Sequence, residues 1–194
     1  MRYERNNRNR ETLKYGVKIR RGNAMRVFGL AGWSGSGKTT LLCRLIPELI
    51  GRGRTVSTIK HAHHAFDVDQ PGKDSYEHRA AGATEVMIGS AARFALMHEL
   101  RDAPEPTLGE LLGRMASVDL VLIEGFKRDR HAKLEVYRAS VGKPPLWPTD
   151  DAIVAVASDS PQPECPRPIL DLDDVVGIAD LVDTRAVDAT ALLG

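Results

Sequence analysis

Apolar residues along this chain fall into short runs that are separated by polar, glycine-containing and proline-containing segments. The runs at 27–31, 118–123 and 152–157 are almost continuously apolar, which is typical of strands buried on both faces of a parallel sheet. Shorter runs predict further strands at 55–60, 84–88 and 94–97.

Segments with the apolar spacing of helices alternate with these strands. Residues 41–46 indicate the first helix, and Pro47 is a misfit there because an interior proline costs about 3 kcal/mol unless a kink accommodates it. Further helices are predicted at 73–82, 107–116 and 175–182. The alternation predicts a three-layer α/β domain with a mostly parallel central sheet flanked by helices.

Length and composition agree with a single domain over residues 25–194. The chain has 194 residues, of which 42% are hydrophobic and 27% charged, enough to bury a sizeable core. Residues 1–24 are basic and contain few apolar residues, so we expect them to be disordered. Met25 stands directly before the first strand, which favours an upstream extension from a wrongly chosen start codon. A nucleic-acid-binding or targeting arm is the alternative.

Cysteine usage and the absence of a targeting signal indicate the cellular location. Cys43 and Cys165 lie far apart and form no C-x-x-C pair, which suits a reducing compartment. Nothing in the sequence resembles a membrane span or a secretory signal. We therefore expect a cytoplasmic protein whose partners are neither membranes nor nucleic acids.

Residues 32–39, Gly-Trp-Ser-Gly-Ser-Gly-Lys-Thr, lie between the first predicted strand and the first predicted helix. This order is that of a phosphate-binding P-loop, whose glycines turn backbone N–H groups toward a polyphosphate at a helix N-terminus. Lys38 is expected to reach the outer phosphates, and Thr39 to place a hydroxyl beside a bridging Mg²⁺. A dinucleotide-binding fingerprint has a different glycine spacing. On this P-loop NTPase fold the predicted nucleotide ligands are Gly35, Ser36, Gly37, Lys38, Thr39 and Thr40.

Glu124 follows the apolar run 118–123 directly. A carboxylate at the C-terminal edge of a buried strand beside the P-loop strand is where a second Mg²⁺ contact belongs, as in a Walker B motif. Asp119 is the competing acid, but it precedes the uninterrupted apolar residues 120–123 of this run and is expected to be a solvated residue at the opposite edge of the sheet. A salt bridge at the rim is the structural alternative for Glu124.

The polar loop at 60–75 follows the second predicted strand and is expected on the P-loop face of the sheet. Asp67 and Asp69 are candidates to touch hydrated Mg²⁺ or to orient an attacking water. Lys38, Glu124 and Asp69 are thus the predicted catalytic residues, and Thr39, Glu124 and Asp69 the predicted Mg²⁺ ligands. His61, His63 and His64 invite a transition-metal interpretation, but the sequence has no second Cys/His cluster, and solvated or substrate-contacting histidines are the alternative.

Several segments taken together resemble the MobB family. They are Gly-Trp-Ser-Gly-Ser-Gly-Lys-Thr-Thr at 32–40, Ile-Lys-His at 59–61 followed by His63 and His64, Asp-Gln-Pro-Gly-Lys-Asp-Ser at 69–75, Arg-Ala-Ala-Gly-Ala at 79–83, Leu-Val-Leu-Ile-Glu-Gly-Phe-Lys at 120–127 and Ala-Val-Ala-Ser-Asp at 155–159. The resemblance spans residues 25 to about 184. It implies a GTP-binding adapter in molybdopterin-guanine dinucleotide synthesis, a part of molybdenum cofactor biosynthesis.

The resemblance also implies slow GTP hydrolysis, a homodimer, and partnership with the guanylyltransferase that joins GMP to molybdopterin. Some P-loop proteins of this broad class carry a lysine directly after the first P-loop glycine. Here that position is Trp33, so a lysine reaching across a dimer from this site is not expected. Asp159, after the strand at 152–157, is a candidate to accept hydrogen bonds from the guanine N–H groups.

Two further functions share these sequence features. A small-molecule kinase would use the basic cluster Lys127, Arg128, Arg130 and Lys133 to stabilise a transferred phosphoryl group. A nucleotide-gated metallochaperone would use His61, His63 and His64. The basic cluster has two other interpretations, a solvated face or a contact for the pterin phosphate or the guanylyltransferase.

Overall fold

The computed structural model describes residues 10–12, 18–20, 24–62, 66–127 and 129–192. The chain divides into two compact units, one formed by Met1–His61 with Leu108–Gly194 and the other by Ala62–Thr107. Most of residues 1–24, for which we expected disorder, lie outside the described residues. Among the residues that the structure does describe, no helix has the length and apolar character that crossing a bilayer requires.

The described secondary structure comprises four α-helices and eleven strands. The helices are α1 (Lys38–Gly51), α2 (Asp74–Ala80), α3 (Leu108–Arg114) and α4 (Val175–Arg185). The strands are β1 (Arg10–Thr12), β2 (Lys18–Arg20), β3 (Arg26–Ala31), β4 (Val56–Lys60), β5 (Glu85–Gly89), β6 (Phe94–His98), β7 (Leu120–Glu124), β8 (Lys133–Tyr137), β9 (Ile153–Ser158), β10 (Ile169–Asp171) and β11 (Val187–Asp188). All predicted helices and strands are confirmed within a few residues, whereas β1, β2, β8, β10 and β11 were not predicted.

The larger unit is built on one sheet with the strand order β10-β9-β8-β3-β7-β4. All neighbours along this path are parallel, and β11 pairs antiparallel with β3. The P-loop strand β3 is therefore central, with β7 on one side and β8 on the other. This confirms the predicted α/β fold with a mostly parallel sheet flanked by helices.

Apolar side chains cover the two faces of this sheet. On one face Phe28 and Leu30 pack with Leu45 of α1 and Ile178 of α4, and all four are 0% exposed. On the other face Val121 belongs to a cluster with Leu108 and Leu112 of α3. Full burial of each such side chain contributes roughly 1.5–3 kcal/mol. The two layers hold the carboxyl ends of the strands, and the loops that follow them, in fixed register.

The smaller unit, Ala62–Thr107, contains α2 and the antiparallel pair β5 and β6. Arg79 of α2 holds it together by pairing with Asp67, Asp69 and Glu99. β1 and β2 also pair antiparallel, in a sheet of their own.

Candidate functional site

A glycine-rich loop joins the central strand β3 to α1. Gly37 stands at the N-cap of α1 with a left-handed φ of 96°, and no side chain caps this helix end by a hydrogen bond. A Cβ on Gly32 would lie 2.5 Å from the carbonyl oxygen of Val136 and 2.7 Å from Ser36 Oγ, so a larger residue does not fit. The loop is thus tightly packed against β8 and leaves the helix N-terminus available to an anion.

Lys38 lies across the mouth of this loop. Its Nζ donates hydrogen bonds to the carbonyl oxygens of Gly32, at 3.0 Å, and Trp33, at 2.8 Å. Burial lowers the pKa of the Lys38 ammonium, Lys127 and Lys60 lower it further by repulsion, and Glu124 opposes them. Three ammonium groups, Lys38, Lys60 and Lys127, thus act on one another beside the single carboxylate of Glu124, a positive site that suits a polyphosphate.

Thr39 and Glu124 come together as the sequence predicted. Thr39 Oγ1 is 3.3 Å from both Oε1 and Oε2 of Glu124. The parallel pairing of β3 with β7 aligns Leu30 with Glu124 and so brings the acid to the edge where the P-loop begins. A hydroxyl and a carboxylate are hard oxygen donors of the kind that Mg²⁺ prefers, so this pair fits the predicted metal.

A strained turn follows Glu124. Phe126 has a φ of 48°, unusual for a non-glycine residue. Its ring lies 4.7 Å from that of His61, centroid to centroid. His61 N–H also donates to the Glu124 carbonyl oxygen at 2.8 Å. His61 therefore supports the turn that carries Glu124, while His63 and His64 lie outside the described residues. Among the residues described, no group of three or more His, Cys, Asp or Glu side chains is arranged to hold a metal ion.

Trp33 projects from the P-loop between two lysines. The Nζ of Lys127 lies 4.9 Å from the ring centroid and that of Lys143 lies 6.0 Å away. The indole Nε1 donates to the carbonyl oxygen of Pro144 at 2.7 Å. Trp33 thus fastens the P-loop to the segment that follows β8.

Arg138 also contacts the P-loop, although the sequence analysis did not identify it. It follows β8 directly, and its Nε donates to the carbonyl oxygen of Ser36 at 3.2 Å. Its Nη1 donates to Asp159 Oδ2 at 2.9 Å. Asp159, the predicted guanine ligand, is therefore held in an ion pair beside the P-loop. The sequence did not point to Arg138 because the strand β8 before it was not predicted. The signal that could have located it was a basic residue directly after a segment in which the apolar Leu134 and Val136 alternate with polar residues.

Asp69 lies in the smaller unit and is already paired. Arg79 Nη2 contacts Asp69 Oδ1 at 2.7 Å and Asp67 Oδ1 at 2.8 Å. The Asp69 side chain is 2% exposed. Its predicted role as a Mg²⁺ ligand and catalytic residue stays a prediction.

Two expectations about charged residues were wrong. Asp119 is buried rather than solvated, because Oδ2 accepts hydrogen bonds from the backbone N–H and the hydroxyl of Thr55, both at 2.8 Å. Lys133 was grouped with Lys127, Arg128 and Arg130 in a basic cluster that meets a phosphoryl group, solvent or a partner, yet it is 1% exposed and its Nζ pairs with Asp150 at 3.0 Å. Lys133 therefore stabilises the loop that follows β8 through a buried ion pair. Arg128 of the same cluster lies outside the described residues.

The strand β8 carries further buried polar groups on the edge of this site. Glu135 is 0% exposed and accepts hydrogen bonds from the N–H groups of Leu146, at 2.7 Å, and Trp147, at 2.9 Å. Burial raises the pKa of the Glu135 carboxyl, and these two hydrogen bonds oppose the shift. His131 precedes β8 and is 1% exposed; burial, aided by Lys133, lowers its pKa to about 4.

A P-loop after the central strand of a parallel sheet, with an acid at the end of the neighbouring strand, defines this protein as a member of the P-loop NTPase fold class. The sequence model of the MobB family, described as molybdopterin guanine dinucleotide synthesis protein B, matches residues 27–159. The chain belongs to the MobB family.

Curated relatives support this membership. The chain is 46% identical to the molybdopterin-guanine dinucleotide biosynthesis adapter protein of Escherichia coli (strain K12), over 80% of this chain and 90% of the relative. It is 41% identical to the protein of the same description from Haemophilus influenzae, over 83% of this chain and 89% of the relative.

Solved structures of MobB proteins share the fold. The crystal structure of Bacillus subtilis MobB superposes with a TM-score of 0.65 at 24% identity, covering 83% of this chain and 98% of that one. A crystal structure of molybdopterin-guanine biosynthesis protein B gives a TM-score of 0.61 at 23% identity, covering 81% and 98%.

Proposed function

We propose that this protein is a GTP-binding adapter of molybdopterin-guanine dinucleotide biosynthesis. It binds GTP with Mg²⁺ at the P-loop and assists the guanylyltransferase that joins GMP to molybdopterin. Membership of the MobB family and the description of its curated relatives support the pathway. The observation that carries the nucleotide site is the convergence of Lys38, Thr39 and Glu124 at the N-terminus of α1.

Each of these three residues has a distinct part in nucleotide binding. The Lys38 ammonium exchanges its two carbonyl acceptors for phosphate oxygens, which are stronger acceptors because they are charged. The Thr39 hydroxyl and the Glu124 carboxylate hold Mg²⁺, directly or through water. When bound, Mg²⁺ neutralises charge on the outer phosphates. The site therefore favours a triphosphate over a diphosphate.

We propose that GTPase activity is weak, as suits an adapter protein whose role does not depend on rapid hydrolysis. In this proposal the bound GTP organises the P-loop and the neighbouring surface for the guanylyltransferase, and hydrolysis is slow. A homodimer and a cytoplasmic location are further parts of the proposal, since both are expected of this family. Sedimentation of the purified protein measures the first of them.

Molybdopterin is proposed to contact a cavity of about 760 Å³ in the larger unit. Lys127 and Arg130 line this cavity together with the carboxylates of Asp129, Asp150 and Asp151, of which Asp150 is paired with Lys133. The Lys127 ammonium also lies over the Trp33 ring of the P-loop. These cations suit a pterin phosphate. Arg130→Ala should then weaken molybdopterin binding without weakening GTP binding.

The decisive experiment is reconstitution of dinucleotide formation from molybdopterin, GTP and Mg²⁺ with purified guanylyltransferase. The unaltered protein should stimulate the reaction, and Lys38→Ala should not. Arg44→Gln, on the same helix but paired with Asp173, is the matched control and should stimulate normally. Equal stimulation by Lys38→Ala would refute a role that depends on the bound nucleotide.

A further inference from the structure

Arg138 and Asp159 directly follow the neighbouring strands β8 and β9, and together they form a clamp on the P-loop. Tyr137 at the end of β8 is aligned with Ser158 at the end of β9, so Arg138 and Asp159 follow at the same edge of the sheet. Both side chains are a little over one third exposed, at 38% and 37%. Neither has a part in the phosphate-binding motif itself.

The position of the guanidinium fixes one peptide group of the P-loop. Arg138 Nε donates to the Ser36 carbonyl oxygen at 3.2 Å. The Ser36 carbonyl and the Gly37 N–H belong to the same planar trans peptide, so they point in opposite directions. Because the carbonyl points toward Arg138, the Gly37 N–H points away from it, which is the orientation that donation to a phosphate in the loop requires.

Gly37 of the P-loop also packs closely against Arg138 of the clamp. A Cβ on Gly37 would lie 3.3 Å from Arg138 Nε, a closer approach than ordinary van der Waals contact. The glycine therefore serves two purposes, since its φ of 96° suits few other residues. Asp159 completes the arrangement by accepting from Arg138 Nη1 at 2.9 Å, which orients the fork of donors.

We infer that Arg138 is a positioning residue for nucleotide binding and that Asp159 acts through it. Arg138 holds the Ser36–Gly37 peptide in the orientation that binds phosphate, and Asp159 anchors Arg138. This inference rests on the proposed nucleotide function of the P-loop. It assigns Asp159 a different task from reading the guanine base, and the two tasks predict different behaviour.

Equilibrium titration with fluorescent GTP and ATP analogues, in the presence of Mg²⁺, tests the inference on the full chain. Arg138→Gln should weaken binding of both nucleotides by roughly tenfold, the size expected for loss of a charge-assisted hydrogen bond. Arg138→Lys should show most of the same loss, because lysine keeps the charge but cannot bond Ser36 and Asp159 with a rigid fork. Full rescue by lysine would reduce the role of Arg138 to charge alone and overturn the inference.

A double-mutant cycle separates the two roles of Asp159. Asp159→Asn should weaken binding by a few fold in the unaltered protein and should have no further effect in Arg138→Gln. The preference for GTP over ATP should be the same in all these variants. An Asp159→Asn effect that persists without Arg138, or a changed nucleotide preference, would overturn the anchoring role and favour base recognition.

Two reference variants distinguish failure of this inference from failure of the proposed function. Lys38→Ala should abolish binding, whereas Arg44→Gln, which removes another arginine–aspartate pair, should leave it unchanged. If Arg138→Gln binds GTP normally while Lys38→Ala does not bind it, the role of the clamp is refuted and the proposed function is not. Absence of GTP binding by the unaltered protein refutes the proposed function and the clamp with it.

Discussion

Thr39 Oγ1 lies 3.3 Å from each carboxylate oxygen of Glu124, although 85 positions separate the two residues in the chain. The parallel pairing of β3 and β7 brings them together, since Glu124 ends β7 and Thr39 lies in the first turn of α1, which the P-loop joins to the end of β3. A hydroxyl centred on a carboxylate forms a pair of oxygen donors beside Lys38. This geometry is the one that the proposed Mg²⁺–triphosphate site requires.

Glu124→Gln should weaken the Mg²⁺-dependent part of GTP binding. The variant keeps one oxygen near Thr39 but loses the negative charge that favours the metal. We expect GTP affinity to fall about tenfold with Mg²⁺ present and to change little when EDTA removes the metal. Titration with and without Mg²⁺ measures this difference. An equal loss in both conditions would show that Glu124 serves the loop structure instead.

Gly29→Ala should destabilise the protein through a clash at the centre of the sheet. A Cβ on Gly29 would contact the His131 ring, with Cδ2 at 2.7 Å, and Lys133 Cγ at 2.9 Å. Overpacking of this kind costs about 1–3 kcal/mol of unfolding free energy in urea titrations. His131→Ala in the same chain should recover part of the loss. Additive effects of the two substitutions would contradict direct contact.

His131 should make the protein less stable as the pH falls from 7 to 5. Its pKa is about 4 in the folded protein and near 6.5 when unfolded, so the unfolded chain binds the additional proton. The stabilisation is complete above the unfolded pKa and is lost as the pH falls toward 4. Lys133 and Asp150 face the ring with opposing effects on its pKa. The expected loss is about 2 kcal/mol between pH 7 and pH 5.

The control for this pH dependence is His131→Phe, which keeps an aromatic ring without a titratable group. Its unfolding free energy should change less than that of the unaltered protein over the same pH range, by the amount assigned to His131. Identical pH profiles for the two proteins would contradict a buried neutral imidazole.

Glu135→Leu should loosen the segment that follows β8. The substitution leaves the N–H groups of Leu146 and Trp147 without their acceptor, which costs about 2 kcal/mol. Glu135→Gln, which keeps one acceptor oxygen, should lose less. Hydrogen exchange at the two amides should accelerate most in the leucine variant, and unchanged protection would exclude this anchoring role.

Arg79→Met should destabilise the smaller unit and make its backbone more accessible to proteases. The variant removes the partner of Asp67, Asp69 and Glu99 at once, and leaves the Asp69 carboxylate buried beside an apolar side chain. We expect faster limited proteolysis within Ala62–Thr107. Arg93→Met, an exposed arginine in the same unit, is the comparison and should be cleaved at the normal rate.

The sequence was sufficient for the parts of the fold that depend on local pattern. Continuous apolar runs located β3, β7 and β9, and the rule that parallel strands end at a common edge placed Glu124 beside the P-loop. The glycine spacing located the loop itself. Each of these features is encoded by residues close together in the chain, so the periodicity of apolar residues and the order of motifs are enough to predict it.

The rest depends on contacts that a linear pattern does not contain. The strand β8 was missed because Lys133 and Glu135 alternate with Leu134 and Val136, and buried charges look like exposed ones in sequence. Their partners, Asp150 and the backbone at 146–147, lie in a distant segment. That the hairpin of β5 and β6 forms a sheet of its own, and does not join the main sheet, is likewise not contained in the pattern of its residues.

The position of Trp33 between Lys127 and Pro144 also gives the proposed nucleotide site an intrinsic fluorescent reporter. The chain contains only two tryptophans, and the second, Trp147, is partly exposed with a buried indole nitrogen. In a Trp147→Phe background, all indole emission would come from a ring on the P-loop itself. Because ammonium groups near an indole alter its emission, ligand capture that draws Lys127 away from Trp33 can be followed in unlabelled protein on the millisecond timescale.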